Sequence, residues 1–387
     1  MNIDSYVTIS SVNGRRLMDL TNSARQGALP DEHPGRARNP VIRVVDIAWL
    51  AFERPDLARA EAFARAFGFQ TAQRGPDEAQ LRGTLPGGPC LILRRGPRRR
   101  FAGVAFRACD EADVQRLADA HGAPTRPLPD AIGGRSVELV DPSGMSVSVV
   151  AGVTELPELS AQQPLSFNFG AEPRRINETQ RPARAPARVQ RLGHLVMQST
   201  RYLAALNWYL DNLGMIVSDF LYFPGQRDRG PTMSFIRCDR GLTPADHHTL
   251  AIALGPANRY VHSAYQVSDL DALAAGGEYL REHGYLRSWG IGRHIQGSQI
   301  FDYWRDPDGY LFEHFADGDL FDNTLEPGWA PFTASGLAQW GPPATRDFLG
   351  TDLKSARHEL VSIATALREH NEFDIGRLAG LLKVPTS

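Results

Sequence analysis

Cysteine is scarce in this chain. Cys90, Cys109 and Cys238 lie far apart in 387 residues, odd in number and without a CxxC pair. That excludes a disulfide framework and a thiolate zinc site, and leaves three buried or idle thiols. Long apolar runs are missing as well. No stretch approaches the ~20 residues that a membrane span needs. The opening MNIDSYVTISSVNGRR has no signal-peptide core, so the expected location is the cytoplasm. Nor is there an excess of charge of either sign. A formal net charge of -2 gives no reason to expect nucleic acid or an acidic membrane as partner, and points instead to a small molecule.

With 42% hydrophobic residues, the chain is long and apolar enough to fill two or three domain cores. Residues 1–40 are polar and end in LPDEHPGRARNP, an extension that wraps a neighbour or stays mobile. Between 41 and 152 the pattern strand, helix, strands occurs twice. Its first helix carries Leu57, Ala60, Phe63 and Phe67 at helical spacing, and its second spans Glu111 to His121. Residues 153–188 are rich in Pro, Ala, Arg and Gln and form a linker. The same order returns twice in 189–316. One helix there has a stripe of Leu203, Leu206, Leu210 and Leu213, and the other lies near Asp269 to His283. Residues 317–387 begin irregular and end in helical patterns, the first with a stripe of Leu360, Ile363 and Leu367 that is expected to pack, as a lid or a subunit contact.

The chemistry concentrates in GRHIQGSQIFDYWRDPDGYLFEHFADG, residues 292–318. A tight DPDG turn joins two strands, and on the second of them Leu311, Glu313 and Phe315 share a face. A carboxylate between two large apolar neighbours is costly unless it is paired or binds a cation. Two earlier strands each place one histidine in an apolar run, His194 in RLGHLVMQ and His262 in RYVHSAYQV. Two imidazoles and one carboxylate are the facial ligand set of non-haem Fe(II) oxygenases. Comparing the halves sharpens this. Spacing from Gly68 and Gly214 sets Ala48 against His194, Gly103 falls opposite His262, and Ser148 follows DPSG as Glu313 follows DPDG. Only the second half carries all three groups, so they are not requirements of the fold.

With these motifs the chain resembles the type I extradiol ring-cleaving dioxygenases of the vicinal oxygen chelate (glyoxalase/bleomycin resistance/dioxygenase) superfamily. The resemblance covers about 41–316, with its specific motifs in 189–316. It implies an α+β fold of four βαβββ modules in two tandem half-open barrels. It implies Fe(II), or Mn(II), held by His194, His262 and Glu313, and a catechol-type diol and O2 as substrates. Carried over by motif, HHTLA gives His248 as acid and base, GRH gives His294, and the tyrosine ahead of DPDG is Tyr303; the last two bind the diol. The spacing before HHTLA departs from the common pattern, which leaves His247 open beside His248. His248 is preferred because it precedes Thr and is expected to share a strand face with Leu250 and Ile252. Phe235 and Phe301 are candidate pocket walls. His33, His121, His283, His314, His358 and His370 are read as structural. Rival readings are a 2-oxo acid dioxygenase like 4-hydroxyphenylpyruvate dioxygenase, a glyoxalase-like isomerase, which would need a fourth ligand, and a metal-free ligand-sequestering module of the same fold. Exposed sheet edges favour a homo-oligomer.

Overall fold

The computed structural model describes residues 26–350 and 353–386; residues 1–25 of the expected N-terminal extension lie outside them. The first two units comprise β1 (Val44–Arg54), α1 (Leu57–Phe67), β2 (Gln70–Arg74), β3 (Glu78–Arg82) and β4 (Leu91–Arg95), then β5 (Arg100–Ala108), α2 (Glu111–His121), β6 (Thr125–Pro127), β7 (Arg135–Val140) and β8 (Ser146–Ala151). They form one eight-stranded sheet in the order β2-β3-β4-β1-β5-β8-β7-β6. Its centre is antiparallel β1–β5, and each of these strands pairs in parallel with the last strand of its own unit.

The second pair of units repeats the plan. It has β9 (Arg191–Ser199), α3 (Tyr202–Leu213), β10 (Met215–Tyr222), β11 (Met233–Cys238), β12 (Ala245–Asp246) and β13 (Leu250–Leu254), then β14 (Arg259–Gln266), α4 (Leu270–Glu282), β15 (Leu286–His294), β16 (Ile300–Arg305) and β17 (Leu311–Ala316). The tail adds β18 (Leu320–Phe321), β19 (Gly328–Pro331), β20 (Ala338–Trp340), α5 (Leu353–Ala366) and α6 (Ile375–Leu381). The sheet order is β19-β10-β11-β13-β9-β14-β17-β16-β15-β20, with β12 and β18 paired separately. The tail therefore supplies both edge strands of the second sheet, pairing backbone groups that β10 and β15 would otherwise expose. The fold is α+β, in four βαβββ modules.

Local chemistry sets the helix ends. Asp56, Asp110 and Asp269 accept from the N–H three residues on and start α1, α2 and α4, each such cap contributing about 1 kcal/mol. Gly68 and Gly214 close α1 and α3 in the left-handed region that favours glycine. In α1 the stripe Leu57, Ala60, Phe63 and Phe67 is buried as expected. In α3 it is rotated: Leu206, Leu210 and Leu213 are buried, but Leu203 is 41% exposed and Tyr202 takes its place, its hydroxyl bonded to Ser234. The stripe on α5 packs poorly: Leu360 remains 67% exposed, Leu367 is exposed and Ile363 is half-buried, and among the described side chains of this helix Ala366 alone is buried. Among the described residues no helix is long and apolar enough to cross a membrane.

One core runs through both halves. Phe63 and Phe67 of α1 meet Phe312 of β17 edge-on, and Phe67 also meets Tyr265 of β14. Arg54, fully buried, donates to Asp306 at 2.8 Å and lies between the rings of Phe52 and Tyr310. Reciprocally, Tyr209 on α3 donates to Asp141 at 3.0 Å. The DPDG and DPSG turns are thus each held by the opposite half. Residues 26–40 lie along the second half, where Gln26 pairs with Trp329 and Glu32 with Arg227.

Strand pairing corrects one equivalence between the halves. Leu195 stands opposite Leu250 and Ser263, as Leu50 stands opposite Leu91 and Val104. Leu50 is therefore the counterpart of Leu195, and Trp49, not Ala48, is the counterpart of His194. The difference lies in the helices: α1 has 11 residues and α3 has 12, so counting back the same distance from Gly68 as from Gly214 overshoots by one residue. The indole of Trp49 is buried with Ala51, Ile92, Ala105, Ile132 and Val150.

Candidate metal centre

β9, β14 and β17 are successive neighbours, and pairing places His194, Ala264 and Glu313 in one row. His262 lies one step along, between Val196 and Leu311. Alternation turns all of these toward the same face of the sheet. His194 Nε2 is 3.3 Å and His262 Nε2 3.2 Å from Glu313 Oε2, and the three ligand atoms all lie within 4.8 Å of one another. Metal–nitrogen bonds of about 2.1 Å set donors at right angles about 3.0 Å apart, so these separations suit three sites around one ion. Glu313 is wholly buried, yet neither carboxylate oxygen meets a donor in hydrogen-bonding geometry. Such an oxygen pair is costly alone and is satisfied by a divalent cation. The donor set fits.

Packing orients the candidate ligands. The His194 ring lies 3.9 Å from that of His248 and 5.7 Å from Phe315, and Tyr303 meets His262 edge-on at 5.1 Å. Burial pushes Glu313 up, but the two imidazoles together outweigh it and hold the carboxyl below its ordinary range. Burial lowers His194 despite Glu313 beside it.

The other expected residues converge here too. His294 ends β15 and Tyr303 lies in β16, joined by a 2.9 Å bond from the phenol to His294 Nε2. The opposite nitrogen, Nδ1, lies 2.7 Å from the Leu337 carbonyl. A carbonyl only accepts, so Nδ1 carries the proton and Nε2 accepts from Tyr303. Burial lowers His294 to about 4 and raises the Tyr303 phenol well above its usual value, reinforced there by Glu313. Burial, then the neighbouring histidines, keep His248 far below the usual imidazole range.

Strand alternation does not decide between His247 and His248. Both precede β13, both are buried, and Ala251 rather than Leu250 faces with Val196. Geometry separates them: His248 lies against His194, whereas His247 turns to Asp219. Asp219 is absent from the sequence expectations, although a carboxylate in the wholly buried strand MIVSDFLY carries the same signal as Glu313. Phe235 stands 5.0 Å from the His248 ring, and Phe301 stacks on His294 at 4.1 Å. His314, next to Glu313, points the other way, stacking on Phe67 and bonding its carbonyl at 2.7 Å.

Residues 191–314 match the family model "Glyoxalase/Bleomycin resistance protein/Dioxygenase superfamily". The chain is 30% identical over 319 residues to Metapyrocatechase 2 of Cupriavidus necator, covering 81% of this chain and 94% of that protein. It is 25% identical to a manganese-dependent 2,3-dihydroxybiphenyl 1,2-dioxygenase of Geobacillus genomosp. 3, covering 65% and 79%. Among solved structures, the Mn(II)-bound glyoxalase from Novosphingobium aromaticivorans superposes with a TM-score of 0.65 at 23% identity, over 79% of this chain and 94% of that one. A variant of homoprotocatechuate 2,3-dioxygenase from B. fuscum superposes with a TM-score of 0.65 at 17% identity, over 82% and 84%. Both structures share the fold. On the strength of the near full-length match and the family model, the chain belongs to the extradiol dioxygenases of the glyoxalase/bleomycin resistance protein/dioxygenase superfamily.

Proposed function

We propose that this chain opens the ring of a catechol-type diol beside its hydroxyls, using O2 and an Fe(II) or Mn(II) ion held by His194, His262 and Glu313. The observation that carries the reading is the convergence of two imidazole nitrogens and one oxygen of a buried carboxylate whose oxygens meet no donor in hydrogen-bonding geometry. When bound, the ion supplies coordination for both diol and O2 and a route for electron density between them. The residues around it supply everything else.

The Tyr303 hydroxyl donates its hydrogen bond to His294 Nε2, so its oxygen offers lone pairs to a diol hydroxyl. The Leu337 carbonyl fixes the His294 ring for that purpose. His248, neutral and beside His194, takes a proton from the diol and returns it as the ring opens, working as base and then acid. Apolar groups flank the centre on two sides: Val196, Leu221, Met233 and Ala251 on one, Trp289, Phe301 and Leu311 on the other. Such walls exclude water and favour an uncharged ring over a carboxylated one.

Anaerobic loading with Fe(II), followed by oxygen uptake against a panel of catechols, tests the reading. Equimolar O2 consumption with a coloured ring-opened product is expected. Failure to take up metal, or oxygen uptake with an arylpyruvate and no catechol, refutes it.

A further inference from the structure

Behind His248 runs a chain of polar contacts that no ligand role explains. Asp219 sits in β10, where every residue is buried. Its Oδ2 lies 2.7 Å from His247 Nε2, and His247 Nδ1 lies 3.0 Å from His248 Nδ1. His247 is fastened on every side. Its N–H donates to the Asp319 carbonyl, its own carbonyl accepts from the Ser218 hydroxyl, and Phe235 and Phe321 pack on its ring. The loop after His294 closes over it so tightly that a Cβ on Gly297 would stand 3.0 Å from Nδ1.

The direction of each bond follows from what the groups can donate. In the 2.7 Å contact the ring nitrogen donates and the carboxylate oxygen accepts, which puts a His247 proton on Nε2. With its one N–H used there, the ring presents Nδ1 as an acceptor. The nitrogen that faces it, His248 Nδ1, must then be the donor. That leaves His248 Nε2 bare. The other tautomer would put two N–H groups, or two lone pairs, against each other at 3.0 Å.

We propose that Asp219 and His247 are positioning residues which act through His248, holding its proton on Nδ1 so that an unprotonated Nε2 is offered to the substrates at the metal centre. This rests on the ring-cleavage reading of that centre. It explains why a carboxylate is buried in β10 and why two adjacent histidines are both buried. An orienting acceptor behind a catalytic imidazole is a general device: it selects the tautomer without touching the substrate.

The test reads the tautomer directly. The full chain, with 15N-labelled histidine and diamagnetic Zn(II) in the centre, is compared by long-range 1H–15N spectra with its Asp219→Asn variant. In the parent, His248 is expected to show a protonated Nδ1 and a bare Nε2. In the variant the amide donates to His247 and the pattern on His248 inverts. In the Fe(II) enzymes Asp219→Asn should lower kcat roughly 10- to 100-fold, the usual cost of losing an outer partner, with KM and iron content nearly unchanged. In a His247→Gln background the same change should have almost no further effect, because its path to His248 is gone.

A parent spectrum with the proton on His248 Nε2 overturns the proposal, whether or not the variant folds. So does a folded Asp219→Asn protein with an unchanged His248 pattern, or an equally large loss of kcat in the His247→Gln background. The tautomer is read without catalysis. A holoenzyme inactive on every catechol therefore refutes the ring-cleavage reading, while the nitrogen spectrum still decides this one.

Discussion

Glu313 is the single anionic ligand of the proposed centre, and replacing it with Gln tests the centre through stability rather than turnover. An ion that binds only the folded chain stabilises it by about 2.7 kcal/mol at a free concentration of 100 times its Kd. Unfolding entropy of about 2.1 cal/mol/K per residue over 387 residues corresponds to about 0.8 kcal/mol/K for the whole chain. If both halves unfold together, as their common core implies, the melting temperature should rise by about 3 °C. If the second half melted alone, the rise would be roughly twice as large. Losing an outer partner of a metal ligand costs up to about 100-fold in affinity, and losing the carboxylate itself costs more. At the same ion concentration Glu313→Gln is then at or below its own Kd, and its shift should be under about 0.5 °C. Differential scanning calorimetry of both proteins, with and without Mn(II) under anaerobic conditions, gives the answer. A Glu313→Gln protein that keeps the full shift would show that the ion binds elsewhere.

Three further outcomes follow from the same coordinates. His248→Gln should keep its metal and its metal-dependent melting shift while losing roughly 10²-fold or more in kcat; oxygen-electrode rates within a few-fold of the parent would remove its acid and base role. Arg54→Ala leaves Asp306 buried without its cation, which costs about 3–5 kcal/mol and should lower the melting temperature by about 4–6 °C, measured by circular dichroism. Burial pushes the Cys90 and Cys238 thiols up to about 12, whereas Cys109 is exposed; iodoacetamide at pH 8 should label one cysteine in the native protein and three in denaturant, as read by intact mass.

The proposed ligands stand out in the sequence for a physical reason. A charged residue between Leu311 and Phe315, in a repeat whose other copy has Ser148 there, has no explanation from packing alone. The helices of the two sheets were legible through their caps and apolar faces, with one stripe edge moved from Leu203 to Tyr202, whereas the stripe on α5 leaves Leu360 exposed. Other features leave no local mark. A helix one residue shorter in one repeat than in the other shifts the count without altering composition, so Trp49 hid behind Ala48. The alternation applied to His247 and His248 presumed a strand that begins only at Leu250. β19 and β20 arise in a Pro/Gly-rich stretch whose extended form depends on the edges it meets, not on its own propensity. Asp219 was as visible as Glu313, but no second copy drew attention to it.

The half without the proposed ligands is not idle. Gly103 and Ser148 offer no metal-binding group, and Trp49 fills the space where His194 stands in the other sheet. What this half presents to its partner is α1 and the end of β1. Phe52, Phe63 and Phe67 back the outer face of β17 through Phe312, while Arg54 and Arg59 grip the turn that leads into it at Asp306 and Asp308. Glu313 follows Phe312 directly, so its position on the inner face is fixed by contacts made on the outer one. A carboxylate that must meet an ion within a few tenths of an ångström needs a strand that cannot slide. The first sheet therefore acts as a buttress for β17, the strand that carries the proposed ligand Glu313.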